Sequence, residues 1–195
     1  MAAESLAQKV VTRGQRLVYK IVKNNMVIKE SHFLLRQIKL NDRKELAEIA
    51  NNKKIWLNLR DKFPHPYSID DADFYINMKL EEKTQFSFAI EYKDHFVGMI
   101  GLLPMNDIYR KTSEIGYWLG EPYWGKGIMT EACKLVTHYG LHTLDFHRLH
   151  TDVFEHNIGS MKVLENCGYK KEGIFEKSII KDEVIYDEHR YAIVK

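Results

Sequence analysis

The fold is decided by Glu114-Ile-Gly-Tyr-Trp-Leu-Gly-Glu-Pro-Tyr-Trp-Gly-Lys-Gly-Ile-Met-Thr-Glu-Ala132. This segment predicts a strand, a short loop and then a helix, and the loop ends in Gly125-Lys126-Gly127. The first amides of a helix have no partner within the helix, and the helix dipole favours negative charge beside them. Glycine also lets a backbone approach a phosphate closely. The segment therefore predicts a phosphate-bearing ligand at the start of the helix.

Two other phosphate-binding loops fit these glycines poorly. A dinucleotide-binding fold uses G-x-G-x-x-G, whereas Gly125 and Gly127 are followed by Thr130, and no parallel strand–helix–strand unit precedes them. A nucleotide-triphosphatase loop uses G-x-x-x-x-G-K-[S/T], whereas Gly127 stands where the magnesium-binding hydroxyl is needed. A plain glycine turn between strand and helix stays open as an interpretation of an isolated G-x-G.

Downstream residues separate these alternatives. The chain contains E-I-G-Y-W-L at 114–119, W-G-K-G-x-x-T-E-A at 124–132, N-x-x-S at 157–160 and G-Y-x-x-E-G at 168–173. Together these four blocks resemble the GNAT superfamily of acyl-CoA N-acyltransferases, particularly its ribosomal-protein alanine acetyltransferase branch. The resemblance covers about residues 33–195.

The resemblance implies an N-acetyltransferase that moves an acetyl group from acetyl-CoA, its co-substrate, to a primary amine. The acceptor would be a protein N-terminus or a small molecule, and the transfer would be direct, within a ternary complex. The implied cofactor-binding residues are Tyr117, Trp118, Leu119, Trp124, Gly125, Lys126, Gly127, Ile128, Met129, Thr130, Asn157 and Ser160.

Each group of these residues has an implied task. The backbone of residues 117–119 would pair with the pantetheine arm as an added strand does, and residues 125–130 would hold the pyrophosphate. Asn157 would hydrogen-bond the pantetheine. Ser160 would donate a proton to the departing thiolate, although a serine in the first turn of a helix also commonly bonds an amide there.

Two residues depart from the family pattern. Pro122 stands where the family has Gln or Arg, which removes a side-chain contact but not the amides. Ile179 stands where some relatives have a glutamate that acts as general base. An alternative function therefore stays open, that of a non-catalytic CoA-binding sensor or scaffold module.

Attack on a thioester needs a neutral amine, and an aliphatic amine has a pKa near ~10. We therefore expect a base near the thioester. Glu114 is the first candidate because it begins the strand segment that would carry the pantetheine. Its simpler interpretation is a glutamate at the edge of the sheet that faces water and has no catalytic role. His150 and Glu155 are weaker candidates.

Several other residue groups have simpler interpretations. Cys133 and Cys167 lie in predicted helical regions, where buried, inert thiols are common, so covalent catalysis is not expected. His138 and His142 have helical spacing but no third ligand, so no metal site is predicted. In the family that the chain resembles, this helical region forms a lid over the acceptor site, so aromatic and imidazole side chains there could shape an acceptor pocket: Trp56, Phe63, His65 and Tyr67. For Trp56 and Phe63 we prefer the simpler interpretation that they pack the lid onto the sheet.

Composition bounds the remaining possibilities. The chain has 195 residues, 45% of them hydrophobic, which suits a single domain. Lys and Arg number 29 and Asp and Glu 27; residues 1–30 hold six basic and two acidic side chains, so the rest carries 23 against 25. A slightly acidic body argues against nucleic acid as partner. Two cysteines without a CxxC pair favour a reducing, cytoplasmic setting, and no run of about 18 apolar residues predicts a membrane span.

Periodicity predicts the architecture. We expect an N-terminal leader over residues 1–30, with a possible hairpin formed by 17–22 and 26–28, and one acyl-CoA N-acyltransferase domain over 31–195. The expected fold class is α/β (α+β): a GNAT-like mixed, mostly antiparallel sheet of about seven strands flanked by about four helices. An exposed final strand could pair two copies into a homodimer. The predicted strands are 33–38, 86–92, 95–103, 113–119, 148–154, 169–180 and 184–193, and the predicted helices are a first one capped by Asn41 or Asp42, then 53–60, 68–81, about 128–143 and 158–166.

Overall fold

The structure is a computed structural model that describes residues 7–12, 15–22, 25–28, 33–82 and 86–195, the first three ranges by their backbone. Those three ranges form an antiparallel sheet of β1 (Ala7–Thr12), β2 (Gln15–Val22) and β3 (Asn25–Ile28). Strands β2 and β3 pair with Tyr19 opposite Ile28. The predicted turn at residues 23–24 lies outside the described residues, and the division of the chain near residue 30 stays a prediction.

A seven-stranded sheet forms the centre of the molecule, in the order β4-β5-β6-β7-β8-β10-β9. Every neighbouring pair in it is antiparallel except β7 with β8. Short connections join β5 to β6, β6 to β7 and β9 to β10, so antiparallel pairing of these strands is expected. The predicted fold class is confirmed. The strands are β4 (Phe33–Arg36), β5 (Ser87–Tyr92), β6 (His95–Pro104), β7 (Thr112–Leu119), β8 (Arg148–Phe154), β9 (Lys170–Lys181) and β10 (Val184–Val194).

Helices cover both faces of the sheet. On one face, α4 and α5 pack on a core that includes Ile115, Leu149 and Tyr191. On the other face, α1 and α3 pack on a second core that includes Phe96 and Met99. No helix among the described residues is long and apolar enough to cross a membrane. The helices are α1 (Arg43–Ala50), α2 (Lys53–Trp56), α3 (Ile69–Leu80), α4 (Ile128–His138) and α5 (Ile158–Asn166).

The observed start of a helix matches the predicted one where the capping hydrogen bonds involve neighbouring residues. Ser68 begins α3 with a reciprocal capping box to Asp71, as predicted. The predicted cap of α1 is wrong, because no side chain in the described part of the chain makes a capping hydrogen bond to that helix. The Asp42 carboxylate instead accepts hydrogen bonds from Arg36 Nη1 and Nη2, at 2.7 and 2.8 Å, in a buried ion pair, and another from the Lys39 amide at 2.8 Å. Asp42 is therefore engaged in an ion pair and does not cap α1.

Two predicted helices end earlier than their apolar pattern indicates. The second helix is predicted to reach Arg60, but α2 ends at Trp56 and turns follow it. The helix predicted to reach Thr143 is α-helical only to His138 and continues as a π-helical turn, Tyr139–Thr143. These ends are set by packing against the rest of the fold, which the local pattern does not contain.

Candidate active site

The sheet opens between β7 and β8. These strands pair only where Thr112–Glu114 lie opposite Arg148–His150, yet β7 continues to Leu119 and β8 to Phe154. Beyond Glu114, β7 is paired with β6 alone among the described strands. The second half of β7 therefore presents an unpaired edge, which an extended ligand can join by main-chain hydrogen bonds.

The direction of the backbone decides which residues of that edge are available. The Gly120 amide donates to the Val97 carbonyl at 2.8 Å, so Trp118, two residues earlier, also turns its backbone toward β6. Tyr117 and Leu119 turn theirs toward the opening. Of the three residues predicted to pair with the pantetheine, these two have the required direction, and the Leu119 carbonyl already accepts the Trp124 indole N–H at 2.7 Å.

The glycine loop leads from this edge to the start of α4. Gly125 and Gly127 have φ of 72° and 77°, a left-handed conformation that glycine adopts without strain. The first hydrogen bond of α4 runs from the Glu131 amide to the Gly127 carbonyl at 3.1 Å. The amides of residues 125–130 consequently have no hydrogen-bond acceptor in the described part of the chain.

A groove of about 560 Å³ lies against this helix start. Lys126 and Lys134 both line it; the Lys134 ammonium is 3.2 Å from Glu131, and the Lys126 ammonium lies 5.4 Å from the centre of the Tyr123 ring. Free amides, the positive end of a helix dipole and two lysines together suit a phosphate-bearing ligand. The full lining is Phe33, Lys126, Gly127, Ile128, Thr130, Glu131, Lys134 and Asn166.

Sequence reasoning missed four of these lining residues: Phe33, Glu131, Lys134 and Asn166. Lys134 follows Thr130 by four residues, so one turn of helical spacing was the signal that could have found it. Phe33 and Asn166 come from β4 and the end of α5, and no local signal connects those positions to the glycine loop. Ile128 and Met129 belong to the predicted set but have buried side chains, so only their amides can serve a ligand.

Asn157 and Ser160 occupy the start of α5, across the opening from β7. The Asn157 side-chain oxygen accepts the Ser160 amide at 3.1 Å, so asparagine is the cap of this helix. The Ser160 hydroxyl is free of that task and lies 2.8 Å from the Tyr117 hydroxyl. Burial raises the pKa of Tyr117 well above its usual value, so its phenol keeps its proton.

Two of the three candidate bases, Glu114 and His150, lie on the other face of the sheet, whereas Glu155 follows the end of β8. Both Glu114 oxygens accept from Arg60, at 2.7 and 2.8 Å. His150, its partner in the parallel pair, has a buried Nδ1 without a hydrogen-bond partner in the described chain, and burial lowers its pKa. Glu155 is exposed and accepts the Asp187 amide at 3.1 Å. The structure thus gives each sequence candidate a different environment, and Glu114 is the one whose carboxylate is fully engaged.

The aromatic and imidazole residues of the lid lie on the same face of the sheet as Glu114 and His150. Phe63 contacts Tyr67 and Trp118 with ring centres 4.9 and 5.8 Å apart, and therefore packs the lid onto the sheet. Trp56 stacks on His65 and also lies 3.8 Å below the Lys181 ammonium. That ammonium bonds Asp61 at 2.8 Å as well. The β9–β10 hairpin therefore holds the lid through Lys181, which contacts both Trp56 and Asp61.

The cysteines lie beneath the glycine loop, where the Cys167 thiol donates to the Thr130 carbonyl at 3.3 Å and Cys133 is buried. Contact with Cys167, together with burial, raises the pKa of Cys133 well above its usual value, which disfavours the reactive thiolate. The rings of His138 and His142 lie 4.4 Å apart. Among the described residues, no group of three or more His, Cys, Asp or Glu side chains is arranged to hold a metal ion.

Comparison with known proteins gives the same picture. The family model described as "Acetyltransferase (GNAT) domain" matches residues 32–170. The chain is 38% identical to the probable N-acetyltransferase YjcK of Bacillus subtilis over 123 residues, 63% of this chain and 67% of that protein. It is 27% identical to the putative ribosomal N-acetyltransferase YdaF of the same organism over 172 residues, 84% of this chain and 92% of that protein.

A solved structure matches over nearly the same range. It is the microcin C7 self-immunity acetyltransferase MccE in complex with acetyl-CoA and AMP, at 27% identity and a TM-score of 0.73. The match covers 87% of this chain and 96% of that one. The resemblance to the GNAT superfamily inferred from the sequence motifs is confirmed, and the similarity to YdaF supports the expected ribosomal branch.

Proposed function

The chain belongs to the GNAT acetyltransferase family, and from that premise we propose that it transfers the acetyl group of acetyl-CoA directly to a primary amine within a ternary complex. The observation that carries this proposal is the continuity of three features. An unpaired strand edge at Tyr117 and Leu119 leads to six free amides at residues 125–130, and the Ser160 hydroxyl lies across the opening.

These features match the three parts of acetyl-CoA. The free amides and the two groove lysines suit the pyrophosphate, and the edge of β7 suits the amides of the pantetheine arm. The thioester would then lie in the opening between β7 and β8, near Ser160. Asn157 supports this arrangement by capping α5, which leaves the serine hydroxyl available for chemistry.

The reaction needs two proton movements. The ammonium group of the acceptor loses one proton, and its nitrogen then attacks the thioester carbonyl carbon. As the carbon–sulfur bond breaks, the thiolate takes a proton from the Ser160 hydroxyl, which regains one from the amide nitrogen. Fixed positions of amine and thioester contribute much of the rate, because positioning alone can lower a barrier by about 7–11 kcal/mol.

A thiol-release assay tests the proposal. Purified protein is mixed with acetyl-CoA and a panel of acceptors: spermidine, free amino acids, and peptides with unblocked N-termini. We expect free thiol with at least one acceptor, and calorimetric binding of acetyl-CoA and CoA. Binding without thiol release across the panel would instead support the non-catalytic sensor or scaffold. Failure to bind either compound would overturn both functions.

The remaining sequence expectations are kept as proposals. A cytoplasmic location, the absence of a nucleic-acid partner and a homodimer stay predictions. Sedimentation velocity at several protein concentrations tests the homodimer directly.

A further inference from the structure

Polar side chains collect on the face of the sheet that lies under the lid. Cross-strand partners share a face, and so do alternate residues of one strand. The register pairs Glu114 with His150, Asp152 with Arg190, and Phe154 with Glu188. We call this group the charged face, and its polar members are Glu114, His150, Asp152, Glu188 and Arg190, with Arg60 from the loop after α2.

Most carboxylates of the charged face are already bonded. Arg60 holds both oxygens of Glu114. Arg190 holds both oxygens of Asp152, each at 2.7 Å. A proton acceptor must have a lone pair free for the substrate, and a carboxylate in a two-point ion pair with arginine is a poor choice for that task.

Glu188 is the exception on this face. It lies on β10, directly opposite Phe154 in β8, the strand that borders the opening. Its side chain is half-buried, and its carboxylate makes no hydrogen bond or ion pair with any residue that the structure describes. Its cross-strand neighbours, Phe154 on β8 and Phe175 on β9, are apolar. The carboxylate is thus partly desolvated yet unengaged.

We propose that Glu188 is the base that takes the proton from the acceptor's ammonium group. This inference rests on the proposed acetyl transfer. One ammonium proton moves to the Glu188 carboxylate, and the nitrogen lone pair that it releases forms the bond to the thioester carbon. The second proton leaves the nitrogen for the sulfur through Ser160. Glu188 then returns its proton to water, so each turnover releases one proton.

The surroundings of Glu188 suit this role. Burial, and then the nearby charge of Asp152, raise its pKa above the ordinary glutamate value, and Glu114 acts in the same direction. Arg190 and Arg60 act in the opposite direction. A base is most effective when its pKa approaches the working pH. Because the ionised form is the active one, kcat/KM should fall as pH falls through this raised pKa.

Glu188→Gln tests the assignment in the acceptor assay. With the acceptor that gives the most thiol with the wild type, we expect kcat/KM at neutral pH to fall by about 100-fold. The wild type should reach a plateau above the pKa of Glu188. The variant should instead gain about tenfold per pH unit up to the pKa of the amine, since only free amine reacts without a base. Acetyl-CoA affinity and thermal unfolding should stay near the wild-type values.

The matched control is Glu176→Gln. Glu176 is exposed on the neighbouring strand β9, and its substitution makes the same change of charge. Its kcat/KM and pH profile should be those of the wild type. A wild-type profile in Glu188→Gln, or an equal change in the control, would overturn the role of Glu188 alone. A wild type that releases no thiol with any acceptor would overturn the proposed function as well.

Discussion

The hydroxyls of Tyr117 and Ser160 meet at the boundary between β7 and α5, and their 2.8 Å contact links the strand edge to the helix start. The N-x-x-S motif identifies Ser160 from the sequence, because its asparagine and serine are the first and last residues of one four-residue turn. Tyr117 is visible only as part of the strand motif. Nothing local indicates that its hydroxyl reaches residue 160, since 43 positions separate the two.

Ser160→Ala should lower kcat by about 100-fold, because the thiolate would then leave without a proton donor. The Kd for acetyl-CoA, measured by calorimetry, should change little, because the removed hydroxyl does not contact the proposed pyrophosphate amides. Unchanged turnover would remove Ser160 from the mechanism.

Tyr117→Phe should lower kcat by about fivefold. This is the effect expected when one neutral hydrogen bond, which contributes about 1 kcal/mol, is lost. The double variant with Ser160→Ala should be no slower than Ser160→Ala alone, because Tyr117 acts through Ser160. Tyr109→Phe, which removes a hydroxyl from an exposed ring, is the control and should be silent. Additive losses in the double variant would contradict a shared role.

At the scale of elements, the glycine loop is the part that the sequence describes best. Its two positive-φ glycines and the helix that follows are local features, and α4 begins at Ile128, directly after the predicted loop. The bounds of β8 and α5 also match their predictions for the same reason. Asp42 departs from prediction because its carboxylate is held by Arg36 of β4, and α2 ends at Trp56, whose ring packs against Lys181 at the end of β9.

Gly127→Val should weaken acetyl-CoA binding by at least about tenfold. A Cβ atom added at Gly127 would meet no atom of the described residues within 4 Å, so the valine would extend into the space that the proposed site leaves for the ligand. The left-handed φ also costs a non-glycine residue about 1–2 kcal/mol. Calorimetry measures the loss of acetyl-CoA affinity, and urea unfolding measures the loss of stability that the strained φ causes. Gly173→Val, in open space without a positive φ, is the control. Undiminished binding would contradict the proposed pyrophosphate site.

At the scale of the whole molecule, the least predictable features are those that join distant strands. The sequence places Glu114 and His150 on separate strands, but only the parallel register makes them neighbours. Arg60 reaches Glu114 from the lid, and Glu188 joins them from β10. Sequence periodicity gives the face of a residue within its own strand, whereas the order of strands in the sheet is a property of the complete fold.

His150 should make the fold less stable in acid. Burial lowers its pKa in the folded state below the value of the unfolded chain, so the unfolded chain binds the proton more tightly. The stabilisation is present above the unfolded pKa of about 6.5 and is lost as pH falls from there through the folded pKa. Urea unfolding at pH 7.5 and 5.5 should show a smaller pH effect in His150→Gln than in the wild type. His147→Gln, at an exposed position, should keep the wild-type difference.

The parting of β7 from β8 divides the large sheet into a four-stranded panel, β4 to β7, and a three-stranded panel, β8 to β10. Three residue pairs form the hydrogen-bonded seam between the panels. A ligand that forms hydrogen bonds with the edges of β7 and β8 next to this seam would restrict the movement of one panel relative to the other. Amide hydrogen exchange at Tyr117 and Leu119 would then slow when the ligand binds. The exchange rates of these two amides would therefore measure the fraction of molecules that hold the ligand.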